Sequence, residues 1–71
     1  MNVQKLITMA NQIGDFFDAM PDREEGVAGV ANHIKRTWDP RMRTQLFEHL
    51  QAEGDQALKP IVREAIARLR A

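Results

Sequence analysis

Apolar residues recur along this chain at three- and four-residue intervals, the spacing of one face of an α-helix. Val3, Leu6, Ile7, Met9, Ala10, Ile13, Phe16, Phe17 and Met20 form the first such run. At roughly 100° per residue these positions cover close to half of the helix circumference. Gln4, Thr8, Asn11, Asp15 and Asp18 fall largely on the other side. A face this wide can close an internal core and leave surface for a second contact. Phe16, Phe17 or Met20, at the far end of the stripe, or some of their neighbours on that face, are expected to stay partly exposed in the isolated chain.

Pro21 ends the first run, because it has no amide donor and clashes with the preceding turn. Asp22 with Glu25 three residues on reads as a capping box. Val27, Val30, Ala31 and Ile34 then mark a second helix, with Lys35 and Arg36 in its last turn, where positive charge suits the dipole. Gly26 and Gly29 each disfavour a helix by about 1 kcal/mol relative to alanine. They are either simply tolerated or they permit a close helix approach. Asp39-Pro40 pairs a good N-cap with a residue suited to the first helical position. Met42, Leu46, Phe47 and Leu50 follow, and Gly54 is a natural terminator. Lys59-Pro60 opens a last helix whose face is Ile61, Val62, Ala65, Ile66 and Leu69, with Leu58 before it as part of a hydrophobic staple. The pattern predicts helices over 3–20, 23–37, 40–53 and 60–70. Without strand-like alternation or a repeat, it predicts an all-α protein, a small four-helix bundle or two packed helical hairpins, in a single domain over 1–71.

A chain of 71 residues buries only about 60% of the surface that its unfolded form exposes. Disulfides, a metal or a partner usually supply the missing support. Cysteine is absent, so no disulfide and no thiolate site forms, and the composition fits a reducing compartment. Two histidines, His33 and His49, come from different helices without metal-ligand spacing. His33 reads as a half-buried, hydrogen-bonded histidine and His49 as a surface one. A partner surface remains. No apolar run approaches the roughly 20 residues that cross a bilayer. The first residues, Met1-Asn2-Val3-Gln4-Lys5, lack the features of a signal peptide, which makes the cytoplasm the expected location.

Catalytic patterns are missing. The chain has no Cys, Ser or Tyr, and Thr8, Thr37 and Thr44 have no evident base beside them. Gly26-Val27-Ala28-Gly29 is not a phosphate-binding fingerprint. Asp15 with Asp18 and Glu24 with Glu25 sit at helix ends or on polar faces, where solvation and capping account for them. Ten basic and ten acidic residues give zero net charge, which argues against nonspecific binding to nucleic acid. The unusual segment is Lys35-Arg36-Thr37-Trp38-Asp39-Pro40-Arg41-Met42-Arg43, which sets the only tryptophan among cations at a helix junction. Trp and Arg are enriched at binding hot spots. Trp38 either plugs the core with the cations as a solvated rim, meets a protein partner, or stacks on nucleic acid. Arg41 and Arg43 are expected to point outward from the junction and join Trp38 as interface candidates.

Three blocks, Met9-Ala10-Asn11-Gln12-Ile13 with Phe16-Phe17, Ala31-Asn32-His33-Ile34 and above all Trp38-Asp39-Pro40-Arg41-Met42-Arg43, resemble the delta subunit of NAD-dependent, molybdenum-containing formate dehydrogenases. Leu58-Lys59-Pro60 with Ala65 adds a weaker match. The resemblance implies a small accessory subunit without catalytic residues or cofactor. It would support assembly or stability of a complex whose larger subunits carry the molybdenum cofactor, iron–sulfur clusters, flavin and NAD site. The expected partners are those catalytic subunits. The other reading of the same residues is a small helical regulator, homodimeric or bound to nucleic acid.

Overall fold

The computed structural model describes residues 2–71. It contains α1 (Val3–Asp18), α2 (Arg23–Thr37), α3 (Pro40–Glu53) and α4 (Pro60–Arg70), with no strand among the described residues. Only α1 departs noticeably from the predicted limits, ending two residues early. Met20 precedes Pro21, and a residue before proline is pushed away from helical angles. The chain instead closes with a tight turn in which the Met20 amide donates to the Phe17 carbonyl at 3.1 Å.

The helix starts are held by side chains. The Asn2 carboxamide accepts from the Gln4 amide, the Asp22 carboxylate from the amides of Glu24 and Glu25, and the Asp39 carboxylate from those of Arg41 and Met42. Gly54 ends α3 at φ 89°, a left-handed angle that glycine adopts without steric strain. The start of α4 is different, because the Lys59 side chain has no acceptor oxygen. Asn11 of α1 reaches across instead. Its Oδ1 accepts from the Lys59 amide and its Nδ2 donates to the Ala57 carbonyl, both at 3.0 Å. Arg63 holds the same loop from inside α4, its Nε donating to the carbonyls of Leu58 (2.9 Å) and Asp55 (3.2 Å). Leu58 is buried in the shared apolar core, and its carbonyl is one of the two that Arg63 holds.

All four helices feed one core, in which Leu6, Val27, Val30, Ile34, Leu46, Ile61 and Val62 are essentially inaccessible. Among the described residues no polar or charged side chain is buried. The most extensive packing is between α2 and α4; α1 lies against all three other helices, and α3 is held chiefly by α1. Gly26 and Gly29 do permit a close approach. A Cβ on Gly26 would stand 2.8 Å from the Phe17 carbonyl oxygen, and one on Gly29 would collide with the Phe17 ring. Ion pairs lace the edges: Asp15 with Lys59 (2.7 Å), Asp18 with Arg23 (3.1 Å), Glu64 with Arg23, and Glu24 with Arg68 (2.5 Å).

Candidate docking groove

Two adjoining stripes of α1 take different roles. Leu6, Ile7, Ala10 and Gly14 face the core. Met9, Ile13 and Phe16, one step round the helix, form one wall of an open groove of about 560 Å³. The opposite wall is His33 and Thr37 of α2 with Met42 of α3, and Trp38 lies at the helix junction between them. α4 contributes nothing to the lining.

Phe16 is 72% exposed, its ring edge-on to that of Phe17 with centroids 5.0 Å apart. Phe17 is half-buried against Gly29, with the His33 ring tilted beside it at 6.4 Å. Met20 is 36% exposed but lies outside the groove lining. Trp38 is 4% exposed and belongs to the core cluster, so it plugs the core while also lining the groove.

Three expectations need correction. Arg43 does not point outward: its guanidinium folds back, Nη1 donating to the carbonyls of Lys35 and Trp38, both at 3.0 Å. The unsatisfied carbonyls at the end of α2 attract it there. His33 is exposed rather than half-buried, and its ring makes no hydrogen bond among the described residues, because Phe17 takes the space beneath it. His49 is half-buried rather than on the surface. Arg41 is exposed as expected, with no counter-ion among the described residues.

No Asp, Glu, Lys or Arg lines the groove. The Thr37 hydroxyl already donates to the His33 carbonyl at 2.7 Å. The site therefore supplies apolar contact area, with two flexible methionines that adapt to irregular surfaces, and no acid–base pair. Among the described residues no group of three or more His, Asp or Glu is placed to hold a metal. The shifted titrations lie on the seams with α4. Hydrogen bonding and attraction from Arg68 hold the Glu24 carboxyl below its usual range and raise the Arg68 guanidinium in turn, and Asp15 raises the Lys59 ammonium.

Fold and groove together define a small all-α protein whose distinctive surface is apolar and concave. Among the described residues no helix is long and apolar enough to cross a membrane. The chain belongs to the delta-subunit family of formate dehydrogenases: the family described as NADH-dependant formate dehydrogenase delta subunit FdsD matches residues 5–66. That span contains every block on which the resemblance rested. No curated protein and no solved structure matches the chain.

Proposed function

We propose that this chain is a non-catalytic delta subunit that docks on the catalytic subunits of an NAD-dependent formate dehydrogenase through the α1–α2–α3 groove. It supports assembly or stability of that complex in the cytoplasm and binds no cofactor itself. The observation that carries this reading is Phe16, a large apolar side chain 72% exposed on the rim of an apolar groove. Contiguous exposed apolar surface of this kind marks interaction sites in soluble proteins. A domain this small also gains stability from whatever binds its folded form.

Co-purification tests it. With tagged catalytic subunits co-expressed, wild-type chain is retained at fixed stoichiometry. Phe16→Asp cuts retention at least tenfold, because the interface would have to bury an unpaired carboxylate (roughly 2 kcal/mol or more). The isolated variant keeps the helical circular dichroism and melting temperature of the wild type, since Phe16 contributes little to the core. If Phe16→Asp and Phe16→Asp/Met20→Asp are both retained like the wild type, the groove is not the docking surface. The isolated chain is expected to oxidise no formate and to carry no stoichiometric metal; formate oxidation or a tightly bound metal would contradict the non-catalytic reading.

A further inference from the structure

We infer that the groove is an oxidation-sensitive surface: peroxide converts Met9 and Met42 of the undocked chain to sulfoxides, and the sulfoxidised groove no longer docks. This rests on the docking reading above and adds its regulation. Met9 of α1 and Met42 of α3 line the groove from different helices, and both are half-buried. Part of each side chain therefore meets solvent, in an open groove of about 560 Å³ that admits a molecule as small as hydrogen peroxide. No thiol competes for the oxidant, because the chain has no cysteine. Trp38 also lines the groove but is only 4% exposed. Met20 is exposed but lies outside the lining, so its oxidation leaves the groove as it was.

The step is a two-electron oxygen transfer. The thioether sulfur attacks one peroxide oxygen and the O–O bond breaks. The proton on the transferred oxygen passes to the departing hydroxide, which leaves as water; sulfur is oxidised and peroxide reduced. A soft apolar side chain becomes a polar one that carries a strong acceptor oxygen. In the free chain, water bonds that oxygen. Beneath a docked partner it has few donors to replace the water. Met9, Ile13, Phe16 and Met42 present hydrocarbon, and the Thr37 hydroxyl is already committed to the His33 carbonyl at 2.7 Å. A partner laid over the oxidised groove therefore buries two poorly bonded acceptors, which weakens association. A partner already seated on the reduced groove shuts peroxide out, so the docked chain is protected.

The test treats the full chain with hydrogen peroxide, maps sulfoxides by mass spectrometry, and measures retention by the tagged catalytic subunits. Retention is expected to fall at least tenfold as Met9 and Met42 are oxidised, and to be unaffected by the Met20 sulfoxide that forms first. Methionine sulfoxide reductases restore it. Met9→Leu/Met42→Leu, a volume-conserving change, keeps its retention after the same treatment, whereas Met20→Leu loses it like the wild type. In the assembled complex Met9 and Met42 are oxidised at least tenfold more slowly than in the free chain. Resistance of both residues to peroxide in the free chain overturns the inference, and so does full sulfoxidation with retention unchanged. Loss of the helical circular dichroism on oxidation overturns it too, because unfolding then accounts for the lost docking. Retention that depends on Phe16 yet survives sulfoxidation of Met9 and Met42 refutes this inference alone, whereas retention indifferent to Phe16→Asp refutes the docking reading on which it stands.

Discussion

Asn11 ties the α3–α4 loop to α1 with two hydrogen bonds, and among the described residues no other side chain caps the Lys59 amide. Asn11→Ala removes both and leaves the Lys59 amide and the Ala57 carbonyl to water or to nothing. A loss of about 1–3 kcal/mol is expected, read from the urea midpoint of the isolated chain. The two arginines of the third block should separate in the same assay. Arg43→Ala removes a charged donor from two carbonyls at the end of α2 and should cost about 1–2 kcal/mol. Arg41→Ala, exposed and unpaired among the described residues, should stay within about 0.5 kcal/mol while weakening retention by the dehydrogenase. Equal losses for the two would mean that the Arg43 contacts contribute nothing. In sequence both arginines are simply cations near a tryptophan. Which one folds back depends on where the last carbonyls of α2 end up, and that position exists only once α2 and α3 meet.

Between elements, the contact of α1 with α2 depends on the absence of a side chain at Gly26. An alanine there would gain about 1 kcal/mol of helix propensity, but its Cβ would press on the Phe17 carbonyl, part of the backbone at the end of α1. Gly26→Ala should be destabilising overall by about 1–3 kcal/mol, checked by thermal denaturation; a stabilised variant would show that α1 shifts freely. The seam between α2 and α4 has a pH signature. The Glu24 carboxyl is depressed in the folded state by its bond to Arg68. A depressed carboxyl adds stability above its unfolded value of about 4.3, and this contribution fades as pH falls through the lower folded value. Melting temperature should thus drop below about pH 4.3, less steeply in Glu24→Gln. The effect is small because the pair is exposed to solvent. Lys59 has the opposite sign: its raised value adds stability that is complete below the ordinary lysine range and is lost only as pH climbs past it.

For the whole molecule the margin is narrow. At about 0.05–0.15 kcal/mol per residue, a chain of this length has roughly 4–10 kcal/mol of stability. Because α3 is held chiefly by α1, Leu46, fully buried in α3, is one of the few residues that fix it. Leu46→Ala should cost about 2–5 kcal/mol, a large part of the total. Circular dichroism of the isolated variant is expected to show a lowered, broadened melt. Addition of the dehydrogenase should restore much of it, since a partner that binds only the folded form shifts the equilibrium. A melt unchanged from wild type would mean that the α1–α3 contact is not needed for the fold.

Helix number, limits and most caps were legible in the sequence because they are local. Periodicity, Pro21, Asp22, Asp39-Pro40 and Gly54 act within a turn or two of themselves, so no distant contact was needed to read them. The excess width of the α1 face was legible for the same reason, and Phe16 and Met20 are indeed exposed. What only the tertiary structure decided is how distant residues share space. The Phe17 ring fills the position that glycine leaves open at Gly29, and His33 is left exposed above it. Asn11 finds its partners 46 and 48 residues away. Met9, Thr37, Trp38 and Met42 become one groove only when three helices converge. Linear spacing encodes which residues share a helix face; which faces then meet is settled by packing, and the groove is what that packing leaves uncovered.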